Sequence, residues 1–123
     1  MTMKIANRIV MSLGCLLSCS SAHAHAHLTA AVPADGMVVT TSPTTLSLSF
    51  TEGLALKLSG ATLKGLDGKP VATGAISLSA PDKKTMNIAI PGELGTGIYT
   101  VDWHAFSDDG HTSRGTYQFT VGR

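Results

Sequence analysis

Hydrophobic residues alternate with small or polar residues through most of this chain. The clearest runs are Leu46-Ser47-Leu48-Ser49-Phe50 and Met86-Asn87-Ile88-Ala89-Ile90. A repeat of two residues is typical of a β-strand with one buried face, whereas a helix repeats every 3.6 residues. Turn sequences rich in Pro, Gly and Asp separate the runs, and no stretch has a convincing amphipathic helical pattern. The sequence therefore predicts an all-β domain.

About seven short strands at this spacing favour an antiparallel sandwich or Greek-key barrel of the Ig-like or cupredoxin-like kind. The predicted strands lie near residues 28–32, 46–50, 54–58, 76–78, 86–90, 99–105 and 117–121. Trp103 is predicted to be the core tryptophan. Tyr99, preceded by a Gly-Thr-Gly loop, is typical of a tyrosine corner, in which the hydroxyl bonds back to the preceding loop.

The N-terminal segment is predicted to be an export signal. Lys4 and Arg8 precede an apolar run at residues 9–17, and a stretch rich in small residues follows at positions 18–26. The run is too short to span a bilayer, which needs about 20 residues, but it suits a signal peptide.

Three cleavage sites have small residues at the positions that a signal peptidase requires, after Ala22, Ala24 or Ala26, and each leaves a histidine first. We favour cleavage after Ala24, which makes residues 1–24 the signal and residues 25–123 the mature domain. In an alternative reading, a lipoprotein-like sequence ends at Cys19, whose lipidation would take the N-terminus away from the histidines.

Removal of the signal changes the composition. The whole chain has a net charge of +1, but residues 25–123 keep eight acidic and seven basic residues. This balance argues against nucleic-acid binding, which needs a clustered basic surface. Both cysteines leave with the signal, which excludes thiolate metal sites from the mature domain. Met37 and Met86 are too few for a Cu(I) site of thioether ligands, and we place Met86 in the core.

The histidines are the residues that suggest chemistry. A mature chain beginning at His25 has an amine and an imidazole that can chelate one metal ion. In an extended segment, Asp109 and His111 point to the same side, and Gly110 gives the backbone between them freedom to turn. Three nitrogen donors and one oxygen suit Cu(II), which binds most tightly among the divalent first-row metals. Copper binding is then expected to weaken as pH falls, because the nitrogens must lose their protons.

Other interpretations of these residues stay open. His27 in third position can bind Cu(II) through the terminal amine, two deprotonated amides and its imidazole, without Asp109 or His111. An Asp-Gly turn with a solvated histidine needs no metal at all.

The mature sequence resembles the CopC family of periplasmic copper-binding proteins, and its YobA-type members most closely. The resemblance depends on an ordered set of short motifs: His25-Ala26-His27-Leu28, Pro33-Ala34-Asp35-Gly36, Leu48-Ser49-Phe50-Thr51-Glu52-Gly53, Ser59-Gly60-Ala61, Gly97-Ile98-Tyr99-Thr100-Val101-Asp102-Trp103 and Ser107-Asp108-Asp109-Gly110-His111. It implies a seven-stranded Greek-key barrel, with Cu(II) bound by His25, Asp109 and His111. It also implies that Glu52 lies just outside these ligands.

The resulting hypothesis is a periplasmic protein of copper homeostasis and resistance, not an enzyme, that binds one Cu(II) per mature chain. We expect a monomer that does not span the membrane and that carries or buffers copper, delivering it to an inner-membrane importer of the CopD type. One alternative is a copper-dependent oxidative enzyme resembling lytic polysaccharide monooxygenases. Another is a metal-free Ig-like interaction module.

Overall fold

A computed structural model describes residues 26–122, which form nine strands and one 3-10 turn. The signal peptide assigned to residues 1–24, its cleavage sites before Ala26, and His25 lie outside the described residues. The elements are β1 (Leu28–Val32), β2 (Val38–Val39), β3 (Thr45–Phe50), the turn η1 (Leu56–Leu58), β4 (Gly60–Lys64), β5 (Pro70–Val71), β6 (Ile76–Leu78), β7 (Thr85–Ala89), β8 (Gly97–Phe106) and β9 (Thr112–Val121). No helix within residues 26–122 has the length and apolar character needed to cross a membrane.

The strands form two sheets that pack face to face. One sheet has the order β1-β3-β7-β6, and the other has the order β2-β9-β8-β4-β5. Seven of the strands have three residues or more, while β2 and β5 are two-residue strands at the edges of the second sheet. The predicted seven-stranded all-β sandwich is therefore confirmed, with two short edge strands added to it.

Alternation places the core between the sheets. Leu46, Leu48, Met86 and Ile88 on the first sheet are completely buried, as is Val101 on the second. Across the sandwich, the ring of Phe50 meets the ring of Trp103 edge to face, with centroids 5.2 Å apart. The core positions predicted for Trp103 and Met86 are thus confirmed, and the rings close the core near the end where β3 and β8 finish.

The strand predicted at residues 54–58 is wrong. Leu54 is buried and forms a single bridge with Ser107, but Leu56 and Leu58 are 43% and 54% exposed in η1. The Leu58 N–H donates to the Ala55 carbonyl, which closes a turn and removes the segment from either sheet. The seventh long strand is instead β4, which pairs with β8 from Gly60 to Lys64.

The tyrosine corner is confirmed. The Tyr99 hydroxyl donates to the Gly95 carbonyl oxygen at 2.8 Å, while the Tyr99 ring stacks on Phe119. The loop before β8 is thereby fastened to the strand that it precedes.

Tyr117 presents the opposite case, because its hydroxyl is buried without a hydrogen-bond partner within residues 26–122. Burial, helped by the charge of Asp35, raises the pKa of Tyr117 to about 12. An unfolded tyrosine ionises near 10, so the folded state loses stability as pH rises from about 10 to about 12.

We expect Tyr117→Phe to stabilise the protein by about 1 kcal/mol, because it removes an unsatisfied buried hydroxyl. For a domain of this size, that corresponds to a rise in Tm of about 4–8 °C. The variant should also lose less stability than the wild type between pH 10 and 12. The matched control is Tyr99→Phe, which loses a made hydrogen bond and should lower Tm. A lowered Tm for Tyr117→Phe in thermal denaturation would show that the Tyr117 hydroxyl has a partner.

Candidate metal centre

The longest hairpin of the fold presents two of the predicted metal ligands. Strands β8 and β9 pair along their whole length, and the last pair before the loop is Phe106 with Thr112. Residues 107–111 therefore form a short loop whose two ends are fixed by the ladder. Gly110 has a φ of +92°, a conformation that residues other than glycine rarely adopt, so this turn depends on glycine.

The loop brings Asp109 and His111 together, as their spacing predicts. Asp109 Oδ2 lies 3.2 Å from His111 Nδ1, and the two side chains are 34% and 52% exposed. An oxygen and a nitrogen that both lie about 2 Å from one metal ion are about 2.8–3.3 Å apart in neighbouring coordination positions. The separation therefore suits a common ion that could enter from solvent.

Hydrogen bonds keep the Asp109 carboxyl group ionised. The Ser107 hydroxyl donates to Asp109 Oδ1, and the His111 backbone N–H approaches the same oxygen at 3.3 Å. The bond from Ser107, followed by the contacts with His111, holds the pKa of Asp109 below its ordinary value. These bonds therefore favour the carboxylate form of Asp109, which is the form that can bind a metal ion.

The N-terminal segment lies beside the start of β9. Ala26 is completely buried in the core, and its carbonyl accepts a hydrogen bond of 2.6 Å from the Ser113 hydroxyl. Ser113 is two residues beyond His111, so this bond joins the segment next to His25 to the strand that follows the loop. His25 itself lies outside the described residues.

Thr51, which follows β3 of the other sheet, holds the same segment through two hydrogen bonds with His27. The His27 N–H donates to Thr51 Oγ1 at 3.0 Å, and the His27 carbonyl accepts from the Thr51 N–H at 3.0 Å. The backbone at residues 26 and 27 is thus fixed on both sides, by β9 and by the segment that follows β3.

The neighbouring carboxylates have separate surroundings. Asp108 forms an ion pair with Lys83, 4.0 Å long, so Asp108 and Asp109 do not form a pair.

Glu52 lies in the bend just after β3, half-buried, and makes no hydrogen bond or ion pair within residues 26–122. The structure does not join Glu52 to Asp109 or His111.

Over residues 26–122, no three His, Cys, Asp or Glu side chains come together as a metal-binding group. Asp109 and His111 are a pair, and completion of a three-residue site needs a ligand from outside the described residues. The predicted third ligand, His25, is adjacent in sequence to the anchored Ala26.

Comparison with known proteins decides the family. The CopC domain family matches residues 28–122, which is most of the chain. The chain belongs to the CopC family. Protein YobA of Escherichia coli K12 is 39% identical over 101 residues, covering 82% of each chain. The crystal structure of PcoC, a methionine-rich copper resistance protein from Escherichia coli, is 38% identical and superposes with a TM-score of 0.71, covering 80% of this chain and all of PcoC.

A more distant relative is a longer protein of which only one segment resembles this chain. The copper transport protein CutJ of Bacillus subtilis is 21% identical over 115 residues, which cover 94% of this chain but 21% of CutJ. In CutJ, most of the polypeptide therefore lies outside the region that resembles this CopC-family protein.

The sequence does not predict the roles of two serines near the candidate ligands. Ser107 belongs to the motif Ser107-Asp108-Asp109-Gly110-His111 without a predicted role, and Ser113 belongs to no motif. The available signal was local: a serine two residues before an aspartate can hydrogen-bond the aspartate side chain. No sequence signal pointed to Ser113, because its partner is a backbone carbonyl at the other end of the domain.

Proposed function

We propose that this protein binds one Cu(II) ion per mature chain in the periplasm, through His25, Asp109 and His111. The observation that supports this most directly is the 3.2 Å approach of Asp109 Oδ2 to His111 Nδ1 at an exposed loop. Membership of a family whose relatives include a copper resistance protein supports copper as the metal.

His25 is proposed to complete the site through its terminal amine and imidazole. His25 directly precedes Ala26 in the sequence. Ala26 is hydrogen-bonded to Ser113, two residues from His111, which supports a mature N-terminus close to the proposed ligands. This reading requires cleavage after Ala24 and a free, unlipidated N-terminus.

The anchored backbone argues against the alternative site at His27. That mode uses the deprotonated amide nitrogens of residues 26 and 27 as ligands. The His27 amide already donates to Thr51, and Ala26 is packed in the core. Both interactions would have to break for the chain to wrap around an ion, so we favour the site formed with Asp109 and His111.

The ligand set supports a Cu(II) carrier or buffer, not a Cu(I) protein or an oxidase. Beyond the signal, only Met37 and Met86 remain as thioethers, and Met86 is completely buried. An anionic carboxylate ligand favours Cu(II) and is expected to slow redox cycling. We infer that Glu52, near the N-terminal anchor at Thr51, shapes the surroundings of the site without binding the ion.

We further propose that the protein delivers copper to an inner-membrane importer of the CopD type. The match to one segment of CutJ supports this, because CutJ is a copper transport protein that contains a CopC-like region within a longer chain. We propose that the CopC-family domain acts as a monomeric copper carrier for such an importer.

Native mass spectrometry of the exported protein with Cu(II) tests the proposal. We expect the mass of an unlipidated chain that begins at His25, increased by the mass of one copper ion. A chain lipidated at Cys19, or one that takes up no copper, would contradict the site. Vigorous reductant-driven peroxide production with polysaccharide cleavage would favour the oxidative enzyme. Failure of Cu(II) to raise Tm would favour the metal-free module, because a ligand that binds only the folded state must stabilise it.

A further inference from the structure

Ser107 occupies an unusual position at the base of the ligand loop. It is completely buried, whereas the four residues that follow it are exposed. Its backbone N–H donates to the His111 carbonyl at 2.9 Å, and it bridges to Leu54 on the neighbouring segment. Ser107 is therefore a fixed point of the fold directly beneath the exposed loop.

The Ser107 hydroxyl is directed into the loop. It contacts Asp109 Oδ1 and lies 3.2 Å from the His111 carbonyl oxygen, but it has only one proton to donate. Hydrogen bonds to ionised acceptors are roughly twice as strong as neutral ones, so the Ser107 hydroxyl donates its hydrogen bond to the carboxylate. The His111 N–H lies 3.4 Å from the same hydroxyl oxygen and donates to it.

This arrangement gives the two carboxylate oxygens of Asp109 different roles. Oδ1 is occupied by Ser107 and approached by the His111 N–H. Oδ2 is the oxygen that faces His111 Nδ1 at 3.2 Å. A carboxylate held through one oxygen can rotate little, which leaves the second oxygen available to an ion shared with the imidazole.

We propose that Ser107 is a positioning residue that makes Asp109 a one-oxygen ligand through Oδ2. The inference depends on the metal site proposed above and extends it to a residue that does not touch the ion. Without the hydroxyl, the carboxylate is free to rotate, to bind through either oxygen, or to turn away to solvent.

The test compares Ser107→Ala with Ser107→Thr in the mature protein. We expect Ser107→Ala to lower Cu(II) affinity about 10–100-fold, as loss of an outer partner of a metal ligand does, and to change the copper EPR spectrum. Ser107→Thr keeps the hydroxyl and should restore both. The matched control is Ser47→Ala, which removes a half-buried hydroxyl that bonds Asn87 Oδ1 at 2.8 Å on the other sheet. It should leave affinity and spectrum unchanged.

Unchanged affinity and spectrum in a folded Ser107→Ala variant would overturn the inference, as would an equal loss in Ser47→Ala. If Ser107→Ala does not fold, a crystal structure of the wild type with Cu(II) decides, because a metal bond from Oδ1 or from both oxygens contradicts the assignment. The variant His111→Ala tests the proposed function separately. If His111→Ala loses copper binding while Ser107→Ala binds copper as the wild type does, only the role of Ser107 is refuted.

Discussion

Replacement of His111 by alanine is expected to abolish tight Cu(II) binding. The imidazole is one of the two described side chains proposed to bind the ion, so its loss should exceed the roughly 10–100-fold effect of losing an outer partner. Because His111 is 52% exposed, the fold should tolerate the change and Tm of the metal-free protein should stay close to that of the wild type. Competition titration with a copper chelator measures the affinity, and EPR reports the change in ligands.

His104→Ala is the matched control for this experiment. His104 lies on β8 opposite Arg114, an exposed pair on the hairpin that presents the ligand loop, and its ring packs near Gly60. We expect no change in affinity or spectrum on its removal. Wild-type copper affinity and an unchanged EPR spectrum in His111→Ala would eliminate the proposed site.

The second large effect is expected at Gly115, where the core tolerates no side chain. A Cβ at this position would lie 2.6 Å from Trp103 Cε2 and 2.8 Å from its Nε1. Trp103 cannot shift freely, since its ring packs against Phe50 across the sandwich. We expect Gly115→Ala to lower the free energy of unfolding by about 1–3 kcal/mol, as overpacking of a core does.

Gly92→Ala provides the comparison, because a Cβ there meets nothing within 4 Å. Chemical denaturation of both variants measures the difference. Equal stabilities would mean that Trp103 can move aside without cost, and the packing described at this end of the core would then be wrong. A change in Trp103 fluorescence confined to Gly115→Ala would agree with the expected displacement of the ring.

The sequence predicted the sandwich because its strongest signal, alternation with a period of two, reflects burial of one face of each strand. The same signal failed at residues 54–58, where Leu56 and Leu58 alternate correctly but are exposed in a turn. Alternation shows only which residues could share a buried face. Of the three leucines in this segment, only Leu54 is buried. Strand β4 was missed because Gly60, Ala61 and Thr62 at its start provide little apolar contrast, and pairing with β8 defines it instead.

The candidate site was predictable to the extent that it is local. The proximity of Asp109 and His111 follows from their spacing and from the glycine between them. The buried hydroxyl of Ser107 and the bond from Ser113 to Ala26 depend on how the loop and the N-terminal segment meet in three dimensions. No pattern within one short stretch can give such contacts. His25 stays a prediction, supported by its covalent attachment to Ala26.

The bond between Ser113 and Ala26 joins residues 87 positions apart in the chain. A copper ion held by His25 and the loop would reinforce this junction and act as a removable cross-link between the two ends of the domain. His25 and the loop come together only in the folded chain, so copper bound at this site would stabilise the native state. Copper bound by the unfolded segment His25-Ala26-His27 would reduce that stabilisation. Where proteases attack the unfolded population, the metal supply would therefore also set the lifetime of the protein.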